Sequence, residues 1–309
     1  MLERIQRIGR WMFLRAEAAF NAAFGDRLNP LYHLGEITFL LFWIVVASGL
    51  YLYAFFKTGV TQAYASVDRL TAQWWLGGIV RSLHRYASDG MVLTMVLHLL
   101  RHFCFDRHRG FRWFSWATGV GLLWLLYAAG INGFMLPWDR LAQFVTVGTA
   151  ELLDWLPMFR GALIRNFIYT SSVNDRLFSL LSFMHIGIPL VLLLLMWVHV
   201  QRVPKASTNP PRPIAAALMA TLIVLALAYP IVSDRPADLR VAPQVLRFDW
   251  FYLGVLPLMY AWSASGAWLL LGSATLLLLL LPWLPPKRVR AGELRLTVHP
   301  GNHEIRARG

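Results

Sequence analysis

Two stretches decide the reading: RSLHRYASDGMVLTMVLHLLRHF, residues 81–103, and RLFSLLSFMHIGIPLVLLLLMWVHVQR, residues 176–202. Each is mostly apolar over a length that crosses a bilayer, about 20 residues at about 1.5 Å each. Each nevertheless carries two histidines, His84 and His98 in the first, His185 and His199 in the second. Both separations are 14 residues. On an α-helix that offset is about 21 Å of rise and roughly 1400° of rotation, about 40° short of four full turns. Each pair therefore leaves one helix face at two depths. Ionisable side chains inside a membrane are costly without a partner, so the repeated spacing asks for one.

Outward from these stretches the chain keeps the same character. Of its 309 residues 57% are hydrophobic and only 15% charged, and the mean hydropathy is +0.51. A soluble domain of this size needs a polar surface that such a composition cannot supply. The formal charge of +13 sits in short segments between apolar runs, which points to anionic lipid and membrane orientation and away from nucleic acid. A single cysteine, Cys104, excludes an internal disulfide, a cysteine-ligated cluster within these residues and covalent haem attachment through a CxxCH pair.

Six crossings are expected: 37–56, 79–103, 113–138, 178–200, 213–233 and about 264–281, with seven as the main alternative because 250–286 is one long apolar block. Before them, residues 1–33 read as an amphipathic surface segment with arginines at 4, 7, 10 and 15. Residues 34–203 read as a four-span core, 204–286 as a C-terminal membrane segment with a short interfacial helix, and 287–309 as a basic tail. Alternate connections are the basic ones (Arg101, Arg107, Arg109 and Arg112; Arg202, Lys205 and Arg212; Lys287, Arg288 and Arg290). Both termini are therefore expected on the cytoplasmic side, in a bacterial inner (cytoplasmic) membrane. Between crossings three and four, the apolar stretches LLDWLPMF and ALIRNFI suggest short helices lying on the outer surface.

Spans two and four lie two crossings apart and run the same way. His84 then shares a depth with His185, and His98 with His199. Imidazole is a good axial iron ligand, and two bis-histidine b-type haems stacked across the membrane fit four ligands on two parallel spans. The alternative is four unrelated interhelical hydrogen bonds or cation–π contacts, which leaves the matched spacing unexplained. Gly35 and Gly49 on the first span repeat the 14-residue offset. A helix that approaches a flat macrocycle needs small side chains, and Gly119 and Gly130 on span three suit the same purpose. His33, His102 and His108 lie near basic or interfacial segments, and His299 and His303 lie in the tail. The fold class expected is all-α, a polytopic membrane helix bundle with a central four-helix haem-binding core.

The quoted stretches, with TGVGLLWLLYAAGINGFMLPWD between them, resemble the cytochrome b family, the haem-bearing subunit of quinol–cytochrome c and quinol–plastocyanin oxidoreductases. The resemblance spans roughly residues 30–285. LPWD after span three is similar to the shorter, photosynthetic branch, while the 14-residue spacing in span four and Pro189 are similar to the longer, respiratory one. The resemblance implies that His84 and His185 bind the haem near the positive side of the membrane, and His98 and His199 the haem near the negative side. It implies propionate contacts for Arg81, Arg85 and Arg101, whose forks neutralise carboxylates at the edge of lipid. It also implies a quinone or quinol pocket between the loop after span three and a PEWY-like motif, matched here by Phe248, Asp249, Trp250 and Phe251. Proline is lost there, glutamate shortened to aspartate and tyrosine changed to phenylalanine. Asp249 is the expected proton acceptor, with Asp139 as a second carboxylate and Tyr252 in place of the missing hydroxyl. Gly133, Pro137 and Trp138 are expected to shape the other wall.

Two functional readings follow. In the first, the chain moves electrons between the quinone pool and partner subunits, a Rieske iron–sulfur protein and a c-type cytochrome. In the second, it anchors a modular oxidoreductase and relays electrons from a flavin/iron–sulfur or molybdenum module without an outer quinol site. The altered motif and the tail LRLTVHPGNHEIRARG support the second, since the tail resembles the opening β-hairpin of a plant-type ferredoxin domain, with a basic surface hairpin as the plain alternative. Homodimer formation fits either. A haem-free transporter fits poorly, because no inverted repeat or paired broken spans are visible.

Overall fold

The computed structural model describes residues 2–169, 173–203, 206–243, 245–246, 249 and 251–284, and the backbone of two short strands, 295–297 and 306–308. The basic residues Lys205, Lys287, Arg288 and Arg290, the tail histidines His299 and His303, and the site candidates Phe248 and Trp250 lie outside the described residues.

Among the described residues ten α-helices build an all-α bundle. They are α1 Leu2–Phe24, α2 Leu34–Phe55, α3 Ala63–Ala72, α4 Gly77–Cys104 and α5 Trp113–Met135, then α6 Arg140–Asp154, α7 Asp175–Gln201, α8 Arg212–Ala228, α9 Val255–Ala261 and α10 Ala264–Leu280. Helices occupy all six expected crossings: α2, α4, α5, α7, α8 and α10. Among the described residues four segments are long and apolar enough to cross a membrane: Leu34–Phe55, Gly110–Met135, Asp175–Gln201 and Ala264–Trp283. At 17 residues α8 is shorter. The 28 residues of α4 reach about 42 Å, but Arg81, Arg85, Asp89 and Arg101 interrupt their apolar run. In lipid a helix is the economical choice because it satisfies its own backbone hydrogen bonds. Pro189 inside α7 removes the donor for the His185 carbonyl, a defect that neighbouring helices accommodate in membranes.

The bundle is made of two tight pairs. α2 packs along α4, and α5 packs along α7, while α4 and α5 join the pairs. Leu41, Phe42, Val92, Leu126 and Phe178 lie within 2% exposure in the shared core. Around this centre α8 covers α4, α10 covers α5, and α9 lies between α6 and α10. Two indoles hold α10 in place: Trp116 Nε1 donates to the Leu278 carbonyl at 2.6 Å and Trp124 Nε1 to Thr275 Oγ1 at 3.0 Å.

Local chemistry sets the ends. Span three stops at Met135, short of the expected 138, because Pro137 disfavours helix at the residue before it. Trp138 then takes a left-handed backbone with φ of 51°, and Asp139 caps α6 by accepting from Ala142 N at 2.8 Å. The other Asp139 oxygen accepts from Asp234 N at 3.0 Å. A bidentate Arg140–Asp234 pair, 2.7 and 3.1 Å, completes the seam and holds the Asp234 carboxyl below its ordinary pKa range. Of the two stretches expected to form short helices, ALIRNFI carries a π-helical turn, Ile164–Ile168, whereas LLDWLPMF holds only the end of α6 and then turns. α3 was not expected, and the fifth span ends at Ala228 instead of 233. In the tail β1, Arg295–Thr297, pairs antiparallel with β2, Arg306–Arg308.

α1 docks on the far end of α4. Gln6 donates to the Phe103 carbonyl at 2.9 Å, Glu17 pairs with Arg101 at 2.8 Å, and Gly9 lies directly on the Cys104 thiol. A side chain at position 9 overlaps that sulfur, and such overpacking costs about 1–3 kcal/mol. Gly9→Val is therefore expected to lift α1 and speed maleimide labelling of the buried Cys104 severalfold in detergent-purified protein. An unchanged labelling rate would place α1 elsewhere.

Candidate haem-binding centre

The histidine rows face each other as the 14-residue spacing requires. His84 of α4 and His185 of α7 stand with ring centroids 6.2 Å apart. At the other end of the same helices His98 backs on Gly35 of α2 and His199 on Gly119 of α5, as His84 backs on Gly49 and His185 on Gly133. Since both partners descend along their helices together, α4 and α7 run parallel.

Three of the four rings are fixed from behind. His84 Nδ1 lies 3.0 Å from the Val45 carbonyl and 3.1 Å from Ser48 Oγ. Ser48 Oγ also lies 2.6 Å from the Ile44 carbonyl and donates there, so the imidazole is the donor to Val45. His185 Nδ1 donates to the Ala129 carbonyl at 3.1 Å. With the proton on Nδ1, Nε2 keeps its lone pair, the tautomer an axial ligand needs. Among the described residues neither Nε2 has a hydrogen-bond partner. His199 Nδ1 approaches Thr118 Oγ1 at 2.9 Å with the Ser115 carbonyl also in reach. His98 differs, as its ring lies against His102 at 4.4 Å.

Glycines open these carbonyls. A Cβ on Gly49 stands 3.1 Å from His84 Cε1, one on Gly133 2.8 Å from His185 Cε1, one on Gly35 3.2 Å from His98 Cε1 and one on Gly119 3.6 Å from His199 Cε1. Val45, Ala129 and Ser115 each precede one of these glycines by four residues. The carbonyl at that position is the one whose helical partner is the glycine N–H, so a missing Cβ lets an imidazole reach it. Gly119 and Gly133 are themselves 14 apart, a signal that identifies Gly133 from sequence. Gly133 thus backs a histidine, whereas it was expected at the pocket wall. Gly130, expected beside a macrocycle, lies against the Tyr252 ring.

These features fit haem. The 6.2 Å ring separation is close to the span of two imidazoles on one metal, about 6 Å when each nitrogen lies about 2 Å from it. No cluster of three or more His, Cys, Asp or Glu side chains is placed to hold a bare ion among the described residues. Imidazole pairs leave the equatorial positions to a macrocycle.

The arginines are differently engaged. Arg81 donates to Thr71 Oγ1 and, at 2.8 Å, to Ser233 Oγ. Arg101 is paired with Glu17. Arg85 bridges Asp89 at 3.1 Å and Asp249 at 2.6 Å, with its guanidinium 4.2 Å from the Phe134 ring. Asp249 Oδ1 also accepts from Phe251 N at 2.8 Å and Tyr252 N at 2.7 Å, so this carboxylate caps a turn as well as pairing with Arg85. Tyr252 is buried on Gly130 and Phe134, with its hydroxyl 2.9 Å from Ser88 Oγ. Phe251 meets the Tyr127 ring edge-on at 6.0 Å. One cluster therefore unites Arg85, Ser88, Asp89, Phe134, Asp249 and Tyr252. Trp138 packs on Phe178 at 5.1 Å. Both Asp139 oxygens are spent on backbone N–H groups, which gives that residue a structural part in place of the expected second base. Asp89, not singled out from sequence, joins through its place one turn after Arg85, and its Oδ1 is buried without a partner.

Comparison with known proteins agrees with this architecture. The family model described as cytochrome b/b6/petB matches residues 21–206. A chain of a solved structure titled "Hyperthermophilic respiratory Complex III" superposes with a TM-score of 0.68 at 18% identity, over 83% of this chain and 76% of that one.

Two glycine variants separate the functions. Gly133→Ala drives a methyl into His185 and is expected to shift or remove the absorbance of one haem. Gly130→Ala, which displaces Tyr252, is expected to lower thermal stability by about 1–3 kcal/mol while histidine ligation survives. Reduced-minus-oxidised spectra and melting curves of both purified variants check the contrast.

Proposed function

Because the chain belongs to the cytochrome b family, we propose that it is a di-haem membrane subunit that transfers electrons between the quinone pool and partner redox proteins. The observation that carries this reading is the His84–His185 pair, 6.2 Å apart with both Nδ1 atoms tied to helix carbonyls. His84 and His185 would hold one haem b, His98 and His199 a second, about 21 Å further along the helices. When bound, haem iron supplies reversible one-electron chemistry and the macrocycle delocalises the charge. Residues 34–203 supply the core, the remaining spans and tail flank it, and both termini are assigned to the cytoplasmic face of a bacterial inner membrane by the basic connections.

In the same reading the cluster binds quinol, whose two electrons would leave to the redox partners and whose two protons would leave one after the other by way of Asp249. Asp249 Oδ2 accepts a proton when Arg85 turns from it toward Asp89, its other carboxylate. Tyr252 and Phe134 keep water from the site, and Ser88 holds the Tyr252 hydroxyl. A Rieske iron–sulfur protein and a c-type cytochrome then complete the electron path. The relay reading draws on a specific observation as well: Asp249 already serves two backbone N–H groups and Arg85. In that version electrons enter from a flavin/iron–sulfur or molybdenum module, and the β1–β2 hairpin belongs to its docking end.

Asp249→Asn keeps the volume and the cap but removes the base. Quinol-driven haem reduction is expected to slow at least tenfold, as general-base losses are about a hundredfold or more when proton transfer limits, with haem content unchanged. An unaltered rate at normal haem content moves the assignment to the relay. Replacing His84 or His185 by alanine should remove one haem spectrum and replacing His98 or His199 the other; retention of both spectra in any assembled variant contradicts the pairing.

A further inference from the structure

The two side chains that α1 buries are both polar, Gln6 and Glu17. Gln6 meets backbone, donating to the Phe103 carbonyl at 2.9 Å. Glu17 meets a charge. Arg101 Nε and Nη2 each lie 2.8 Å from one Glu17 oxygen, Oε1, and only 14% of the arginine side chain and 9% of the glutamate are exposed. The contact is braced from α1 and from the turn before α2. The Glu17 carbonyl accepts from Asn29 Nδ2 at 3.1 Å, and Asn21, one turn along α1, holds Asn29 at 2.6 Å and the Tyr32 hydroxyl at 3.0 Å. The Arg101 guanidinium in turn lies over the Tyr32 and Phe105 rings at 5.4 and 5.1 Å.

This pair stands beside an axial ligand. Arg101 follows His98 by three residues on α4, which is about 4.5 Å of rise and about 300° of rotation, the same side of the helix. Tyr32 precedes by three residues Gly35, the glycine that backs His98. A buried ion pair adds little to stability, because desolvating both charges cancels most of their attraction. For docking alone α1 has apolar side chains to bury, yet Ile5, Ile8, Trp11 and Met12 are exposed. The buried carboxylate acts instead on the charge near His98. Arg101 by itself is a buried cation beside a haem ligand, and such a cation favours the added electron of a reduced haem; Glu17 opposes it.

We propose that Glu17 is a positioning residue that sets the reduction potential of the haem held by His98 and His199, by offsetting the charge of Arg101. The inference rests on the di-haem reading above and gives α1 a part in the electron path. With α1 docked that haem is harder to reduce, and with Glu17 withdrawn it is easier.

The test is a redox titration of the purified full chain, followed through the absorbance of each haem. Glu17→Gln keeps the volume and an acceptor for Arg101 but removes the charge. In it the His98–His199 haem is expected to become roughly tenfold easier to reduce, a rise of about 59 mV for one electron. The haem of His84 and His185, about 21 Å away along the helices, should move far less. Assembled His98→Ala, which lacks one haem, identifies the component that has moved. Glu17→Asp restores the charge and should recover most of the parent potential. The double variant Glu17→Gln/Arg101→Gln removes both charges and should lie closer to the parent than Glu17→Gln does. Cys104 in Glu17→Gln should react with maleimide at the parent rate, since α1 stays docked. An unmoved potential in Glu17→Gln, an equal shift in Glu17→Asp or in the double variant, or a shift that comes only with faster Cys104 labelling overturns the inference and leaves the di-haem reading standing. Absence of a second haem from the parent overturns both.

Discussion

The hydrogen bond from an imidazole Nδ1 to a carbonyl of the neighbouring helix is the interaction on which the rest of the structure depends. A buried ring nitrogen without a partner costs about 1–3 kcal/mol, and in lipid no water replaces it. Satisfying Nδ1 from behind settles the tautomer, fixes the plane of the ring and leaves Nε2 forward. It also dictates the packing, because a carbonyl already bonded within its helix is reached only where the Cβ four residues later is absent. That requirement places Gly49 under His84, Gly133 under His185 and Gly119 under His199. It also draws α2 against α4 and α5 against α7. The two tight pairs, with the imidazoles between them, are a consequence of this one bond repeated.

The periodicity of the chain therefore carries most of the architecture. His84, His98, His185 and His199 are legible because a 14-residue offset returns to one face of a helix, and Gly35 and Gly49 repeat it. Gly133 was equally legible through its distance from Gly119, but the eye goes to Gly130, which packs on Tyr252 instead. Helix ends were less visible. Span three stops early because Pro137 acts on the residue before it, and α3 lacks a strong apolar period. The carbonyls of Val45 and Ala129 leave no trace in a sequence, since a backbone acceptor has no side-chain signature. Likewise nothing in the chain shows that Asp139 spends one oxygen on the N–H of Ala142 in its own helix and the other on that of Asp234, 95 residues further on.

In the proposed function the carboxylate of Asp249 is both structural and reactive. Asp249 ends a turn through Oδ1 and meets Arg85 through Oδ2, and Asp89 offers Arg85 an alternative partner on the same helix. An arginine shared between two acids moves toward one as the other takes a proton, because its charge follows the remaining anion. In the proposed reading this compensates for the lost methylene of the shortened motif. It also explains why Tyr252 is so deeply buried, for its ring closes the cluster against Gly130 and Phe134 and keeps the exchange out of water.

The central claim is that imidazole pairs on α4 and α7 form two equivalent-type axial sites at different depths. The direct measurement is the haem content of the purified chain by pyridine haemochromogen assay, together with low-temperature electron paramagnetic resonance of the oxidised protein. The account requires two non-covalent haems b per chain, both low-spin and both with the signature of paired imidazoles. One haem per chain, or a high-spin signal from half of the bound iron, would contradict it.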